Sequence, residues 1–146
     1  MIKGLDKLMK NLSQEGLNKM SQKPLKSYIN GVVKDAKSNA PTIVTQIRPN
    51  HTTYYSTNVG NTISGEVKNG VGSIDVGDTE GPYLEFGTGK FAKDLLGTYP
   101  LEWRIIAAEY YETGKGVTVA TPYIYPAIES NQQVFEQELQ KMLDKL

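Results

Sequence analysis

The segment Thr62-Ile-Ser-Gly-Glu-Val-Lys-Asn-Gly-Val-Gly-Ser-Ile-Asp-Val76 decides the class of fold. Apolar and polar residues alternate on both sides of Asn69-Gly70, which is typical of half-buried strands. Asn-Gly favours a two-residue type I′ turn, because both central positions of that turn require a positive φ. The segment 62–76 is therefore predicted to be an antiparallel hairpin. The β-branched run 42–48, which ends before Pro49, predicts a third strand.

Helical patterns lie on both sides of this predicted sheet. Apolar residues recur at helical spacing through 3–38, and the pattern ends at Ala40-Pro41, because proline disfavours helix in the residue before it. Pro24 predicts a break, so we expect two helices or one kinked helix there. A second stripe predicts a C-terminal helix that packs against the sheet or the first helix; its residues are Ile124, Ile128, Phe135, Leu139 and Met142.

These patterns predict one α+β domain over residues 1–146. Its parts are a helical N-terminal arm (1–41), a sheet region (42–89), an insert (90–121) and a C-terminal helix (122–146). We expect an antiparallel sheet of three or more strands, packed against the N-terminal and C-terminal helices. Residues 50–60 are predicted to be a long loop or partly an extra strand. Within the insert, residues 117–119 are predicted to form a short strand.

The composition narrows the possible functions. The 146 residues include no cysteine and one histidine, which excludes disulfides, cysteine-ligated metals and a thiol nucleophile. The 16 basic residues equal the 16 acidic ones, so the chain as a whole is not a polybasic nucleic-acid binder. It contains no apolar run near the roughly 20 residues of a membrane span, and no signal-peptide pattern. We expect a soluble, intracellular protein.

The charge is nevertheless distributed unevenly along the chain. Residues 1–41 contain eight lysines and three acids, a net charge of +5, whereas 42–89 carry −3 and 122–146 carry −2. The lysines either form a solvated helix face or contact an acidic neighbour.

The search for catalytic or ligand-binding motifs is mostly negative. Gly87-Thr88-Gly89-Lys90 resembles the end of a P-loop but lacks its first glycine and the Ser or Thr after the lysine. Asp75, Asp78 and Glu80 are close in sequence but do not have the spacing of a calcium-binding loop, so a solvated turn is the simpler interpretation. His51 has no partner at a recognisable catalytic spacing. No cofactor, metal site or catalytic residue is predicted.

Two short blocks are more specific. In the first, 81–89, aromatic residues and a leucine surround Glu85, and two glycines follow. We expect Glu85 to be structural and paired with a backbone N–H or a lysine, because an unpaired buried charge is too costly. The second block, 121–127, is a proline-bracketed entry to the final helix.

Together these blocks resemble a family of siphophage proteins, the tail-completion or head–tail joining minor tail components. The residues that match are Tyr83, Glu85, Phe86, Gly87 and Thr88 in the first block and Pro122, Tyr123, Pro126 and Ala127 in the second. The Ala-Pro end of the N-terminal helix also fits. Two departures are Tyr123, where phenylalanine is commoner in the family, and Gln46, where glycine is usual.

The resemblance implies a structural virion protein of the phage neck or tail end, with no enzymatic activity and no cofactor. The implied partners are other copies in a ring, hexameric by analogy with phage tails, and other neck or tail proteins. Specific nucleic-acid or membrane binding is not implied. The implied location is the virion, after assembly from the host cytoplasm. Two alternatives stay open: a small nucleic-acid-binding module, or a metal-dependent protein with an acidic site.

Assembly of such a ring requires apolar and charged surface. The side chains predicted to form the interface lie in segments without core periodicity or in the lysine-rich arm: Tyr54, Tyr55, Trp103, Tyr110, Tyr111, Lys3, Lys7 and Lys10.

Overall fold

The computed structural model describes residues 14–95, 99–112 and 116–145. Its helices are α1 (Gln14–Asn39), α2 (Gly81–Phe86), α3 (Lys90–Leu95), α4 (Leu101–Glu112) and α5 (Ile124–Asp144). Its strands are β1 (Ile43–Ile47), β2 (Thr52–Ser56), β3 (Ile63–Lys68) and β4 (Val71–Val76), with a 3-10 turn at Val59–Thr62. The protein is therefore α+β, with helices in the N-terminal and C-terminal regions, as predicted.

Helix α1 is a single helix that continues through Pro24. Of the two predicted alternatives, two separate helices are therefore wrong for residues 14–39, and one continuous helix is observed. Just before this proline, the hydroxyl of Ser21 donates to the carbonyl oxygen of Asn18 (3.4 Å) within the same helix. The helix ends before Pro41, as predicted.

The strands form two separate antiparallel pairs, β1–β2 and β3–β4. The β3–β4 hairpin turns at Asn69 (φ 52°) and Gly70 (φ 78°), which confirms the prediction from Asn-Gly. The single sheet of three or more strands is not confirmed, because β1 pairs with β2 and not with the hairpin. Strand β2 lies in the segment that was predicted to be a loop or an extra strand.

The segment 117–119 lies along the other edge of β1. The amide of Ile47 donates to the carbonyl oxygen of Val117 (2.8 Å), and the amide of Val119 donates to that of Thr45 (2.9 Å). These bonds flank an antiparallel bridge between Gln46 and Thr118. The insert therefore returns to the β1–β2 pair beside the first sequence block.

Helix α1 lies very close to the β3–β4 hairpin, and two glycines make this approach possible. A Cβ atom on Gly65 would lie 2.5 Å from Cγ2 of Ile29, and one on Gly72 would lie 2.8 Å from Cδ1 of the same residue. Such distances are too short for any larger residue unless the Ile29 side chain or the helix moves.

Helix α5 packs along α1, so the predicted contact between the terminal helices is confirmed. The rings of Tyr28 and Phe135 stack at 4.7 Å, and the amide nitrogen of Asn131 donates to a carboxylate oxygen of Asp35 (2.7 Å). The main core gathers buried residues from α1, both strand pairs, α2 and α5: Val32, Ala36, Val44, Val59, Ile63, Leu84, Tyr123 and Ala127. No helix among the described residues is long and apolar enough to cross a membrane.

Candidate functional site

The candidate site is the junction where α2 meets the start of α5, centred on Glu85. Helix α2 is short and has Pro82 in its first turn, where the missing amide hydrogen costs nothing. This turn directs Glu85 into the protein, where only 3% of its surface is exposed. The first sequence block thus places a carboxylate in the interior.

Three consecutive backbone amides at the start of α5 donate to this carboxylate. Oε2 of Glu85 accepts hydrogen bonds from the amides of Tyr123 (2.7 Å) and Ile124 (2.8 Å). Oε1 accepts one from the amide of Tyr125 (3.1 Å). Glu85 therefore caps a helix that begins about 40 residues later in the chain, as the prediction of a backbone partner required.

Pro126 completes this cap. A helix leaves its first four backbone amides without partners inside the helix. In α5 the N-cap residue is Tyr123, so these positions are 123–126. Glu85 accepts from the first three amides, and Pro126 has no amide hydrogen at the fourth. The two blocks together satisfy the helix N-terminus completely.

The environment of Glu85 acts on its pKa in two opposite directions. Burial raises the pKa of the carboxyl group, because a charge loses solvation in the interior. The three amides and the hydroxyl of Tyr99 lower it, because they stabilise the charged form. Burial is the larger effect, so the pKa of Glu85 lies above its ordinary value.

Tyr123 joins the cap to the main core. Its side chain is fully buried, and its hydroxyl donates to the carbonyl oxygen of Gly81 (3.0 Å) at the start of α2. Burial is the main cause that raises the pKa of this phenol. The hydroxyl therefore has a specific partner here, although the resembled family more often has phenylalanine.

Gly87 and Thr88 connect the first block to the segment 116–120. Gly87 has a φ of 72°, and a Cβ atom there would lie 2.9 Å from the backbone nitrogen of Ala120. The amide of Thr88 donates to the carbonyl oxygen of Thr118 (3.1 Å), and the Thr88 hydroxyl accepts from the amide of Thr118 (3.1 Å). The partial P-loop likeness is thus a backbone junction between the block and the insert.

An aromatic cluster covers the other side of Glu85. The Tyr99 hydroxyl donates to the backbone carbonyl of Glu85 (3.1 Å) and lies 3.4 Å from Oε1. The rings in mutual contact around it are Phe86, Tyr99, Trp103, Tyr110 and Tyr125. Sequence analysis missed Tyr99, which lies in the insert and follows no helical or strand periodicity.

The predicted interface residues occupy different environments. Tyr54 is 68% exposed and Tyr55 38% exposed, so both are accessible. Trp103 and Tyr110 pack into the aromatic cluster and are half-buried, so the core uses much of their surface. Tyr111 lies in α4, but its side chain falls outside the described part of the structure, as do Lys3, Lys7 and Lys10.

The acidic residues of the alternative metal site do not converge. Oδ1 of Asp78 accepts the amide of Glu80 (2.9 Å), and Oε1 of Glu80 accepts the hydroxyl of Tyr55 (3.1 Å). Asp75 lies exposed on β4, opposite Ser64. Within the described residues, no group of three or more acidic or histidine side chains is placed to hold a metal ion.

The surface beside the cap is a small open depression of about 170 Å³ between α2, α5 and Trp103. Small-molecule sites usually enclose roughly 300–1,000 Å³. This depression is therefore better suited to a single apolar side chain than to a substrate.

Comparison of this chain with models of known protein families, with curated protein sequences and with solved structures finds no match.

Proposed function

We propose that this protein is a structural subunit of the neck or tail end of a tailed phage, where it completes the tail or joins it to the head. It acts in the virion through protein–protein contacts and catalyses no reaction. It needs no cofactor, and recognises neither a specific nucleic-acid sequence nor a membrane.

The observation that carries this proposal is the contact between Glu85 and the amides of residues 123–125. The resemblance to the phage family rests on two blocks separated by more than thirty residues. The cap supports the resemblance because it gives one physical reason for both blocks to occur in the same chain. Glu85 in the first block satisfies the helix that Tyr123 and Pro126 open in the second.

The bonding of Glu85 also favours a structural role over a catalytic one. A carboxylate offers about four acceptor positions. Three amides use three of them, and the Tyr99 hydroxyl, 3.4 Å from Oε1, covers the remaining side of the carboxylate within a site that is almost closed to solvent. A general base needs an acceptor position that a substrate can reach. Glu85 has none of this kind in its present arrangement.

We propose that the subunits form a ring by head-to-tail contacts, with six copies by analogy with phage tails. In such a contact the two surfaces differ, so the basic N-terminal arm of one copy can face an acidic surface of the next. Exposed ion pairs contribute only about 0–1 kcal/mol each, so apolar side chains supply most of the adhesion. Among the predicted interface side chains that the structure describes, Tyr54 and Tyr55 are the exposed aromatic ones.

The proposal includes a sheet of three strands in the assembled subunit. The order would be β2, β1 and 117–119, and the backbone bonds between β1 and 117–119 support it. The junction with Thr88 would hold this sheet beside the Glu85 cap.

The test is the position and copy number of the chain in virions of the phage that encodes it. We expect several copies at the junction between head and tail in a cryo-EM map, and a mixture of unjoined heads and tails when the gene is inactivated. Restoration by the wild-type chain, and by an exposed-site control such as Glu129→Gln, would exclude an indirect effect. Absence of the chain from virions, or a single copy in each, would overturn the proposal.

A salt series on the purified protein separates the main alternative. A nucleic-acid-binding module that uses the lysines would bind duplex DNA with an affinity that falls steeply as salt increases. We expect only weak, sequence-independent binding.

A further inference from the structure

Strand β2 forms an open edge with unusual properties. All five of its residues, Thr-Thr-Tyr-Tyr-Ser, are exposed, and none of them is charged or a proline. We propose that this edge pairs with the same strand of a second copy of the chain, so that two β1–β2 pairs join into one continuous antiparallel sheet.

The direction of the backbone groups follows from the bonds at the two ends of the β1–β2 pair. The amide of Arg48 donates to the carbonyl oxygen of His51 (2.9 Å), and that of Thr57 donates to Thr42 (2.9 Å). Bonded positions alternate along an antiparallel pair, so Thr53 and Tyr55 also face β1.

The remaining residues of β2, Thr52, Tyr54 and Ser56, therefore direct their amides and carbonyls away from β1. Within the described residues, no backbone or side-chain hydrogen bond reaches these six groups. A row of this kind is a ready template for another strand.

The opposite edge of the same sheet is covered near its C-terminal end, and the edge of β2 has no such cover. The segment 117–119 covers β1, and Thr88 in turn binds both backbone groups of Thr118. The β1 side of the sheet is thus partly covered by 117–119, which the first sequence block holds in place, whereas the β2 side has no cover among the described residues.

The β3–β4 hairpin offers a comparison, because its strands carry the charges that usually protect an edge. Glu66 and Lys68 are exposed on β3, and Asp75 is exposed on β4. Exposed charged residues on edge strands discourage pairing between chains, since a neighbouring strand must meet or desolvate them. Strand β2 has no such protection.

A second copy is the occupant that the backbone favours. If two β2 strands run antiparallel with Tyr54 opposite Tyr54, then Thr52 of each lies opposite Ser56 of the other. All three pairs are of the hydrogen-bonded type, so this register satisfies every outward group of both strands with six hydrogen bonds. No charged residue lies in the strands to oppose the contact.

The outer face of the sheet adds an apolar contribution. Ile43 and Ile47 on β1 lie on the same face as Tyr54, and all three are exposed. Pairing of β2 with its copy places the Ile43, Ile47 and Tyr54 side chains of both chains on one surface. Cross-strand aromatic pairs such as Tyr54 with Tyr54 are among the stabilising ones in sheets.

The contact is small, and it closes on two copies. Five residues from each chain bury much less than the roughly 1,200–2,000 Å² of a stable interface, so we expect a weak, concentration-dependent dimer. It is an isologous contact, whereas the proposed ring uses a head-to-tail contact that includes the same Tyr54. The dimer is tested on the purified chain and the ring in the virion, so the failure of one proposal can be told from the failure of the other.

Amide hydrogen exchange of the purified full-length chain gives the most specific test. In dilute protein, the amides of Thr53 and Tyr55 should be protected, because they face β1. On concentration, those of Thr52, Tyr54 and Ser56 should gain protection, while sedimentation shows an increasing share of dimer. A gain in protection on concentration that is confined to residues 52, 54 and 56 would identify the outer edge of β2 as the contact.

Two substitutions at Tyr54 should remove the dimer by different means. Tyr54→Lys keeps the amide and adds a like charge at the two-fold axis, whereas Tyr54→Pro deletes the outward amide. We expect each substitution to raise the dissociation constant of the dimer by at least about tenfold. Ser64→Lys, on the exposed outer face of β3, adds the same charge elsewhere and should leave the constant unchanged.

Three results would overturn the proposal. One is a mass independent of concentration, with rapid exchange at residues 52, 54 and 56 throughout. Another is protection of these amides that appears only on addition of a different protein, since the edge would then belong to that partner. A dimer that is insensitive to both Tyr54 variants would equally refute it.

Discussion

Replacement of Glu85 by glutamine tests the cap with minimal change in shape. The new side chain keeps one acceptor oxygen but carries an NH₂ group in place of the other. If the NH₂ group replaced Oε2, it would face two amide donors, those of Tyr123 and Ile124. In place of Oε1 it faces only the amide of Tyr125 and the Tyr99 hydroxyl, which can rotate to accept. We expect the second orientation.

The cost follows from what this orientation loses. One buried amide is left without an acceptor, and the two remaining bonds lose the assistance of a charge. An unsatisfied buried donor costs about 1–3 kcal/mol. Removal of a buried negative charge offsets part of the loss, because burial has raised the pKa of Glu85. We therefore expect the free energy of unfolding to fall by about 1–3 kcal/mol.

Urea and thermal unfolding monitored by the fluorescence of Trp103 would measure this change. Trp103 lies 5.4 Å from the ring of Tyr125, whose amide loses its acceptor, so the signal comes from the affected region. A loss of about 1–3 kcal/mol corresponds to a decrease in Tm of about 2–12 °C for a chain of this size. The control is Glu66→Gln, an exposed position on β3 that should change stability by less than about 0.5 kcal/mol. If Glu85→Gln were as stable as this control, the role of the cap would be refuted.

Three further predictions concern the same contacts. The stability of the wild type relative to Glu85→Gln should decrease as pH rises above 4.5, the ordinary pKa of a glutamate, because burial raises the pKa of Glu85 and the folded state therefore holds the proton more tightly than the unfolded state. An increase in this stability difference, measured by urea unfolding at a series of pH values, would contradict the direction of the shift. Phe135→Ala should lower the free energy of unfolding, measured in urea, by about 2–3 kcal/mol. This is less than the roughly 3–5 kcal/mol of a fully buried ring, because Phe135 is half-buried against Tyr28. A loss under about 0.5 kcal/mol, as for a surface substitution, would show that the stack does not stabilise the fold. Gly87→Ala should lower the Tm, because the φ of 72° is unfavourable for alanine and its Cβ would meet the backbone of Ala120. Gly77→Ala is the control, because a Cβ there has ordinary contacts. Equal Tm values for the two variants would argue against strain at Gly87.

Much of the fold could be predicted from local patterns. Alternation and Asn69-Gly70 identified the hairpin, because a turn with positive φ depends on two residues and their neighbours. The stripe through Phe135 predicted a helix and its buried face, because helical spacing places those residues together. Glu85 was predicted to be structural and paired, because its neighbours are apolar and its charge requires a partner in any fold.

Other features depended on contacts between distant segments. Pro24 predicted a break by local rules, yet α1 continues through it while packed against α5 and the hairpin. Strand β2 has no strong alternation of its own, and its partner is set by β1. The role of Tyr99 has no signal in the sequence, since its value lies in its position 14 residues beyond Glu85 in a turn beside the cap.

Local patterns were enough to predict the elements: a positive-φ turn, two amphipathic helices and a carboxylate that required donors. The packing of distant segments set which donors those are, and which strand edge is covered. Spacing along the chain specifies which residues share a face, because that depends on backbone geometry alone. The pairing of Glu85 with the start of α5, and the opposite states of the two sheet edges, depend on how separate segments pack, which no local pattern encodes.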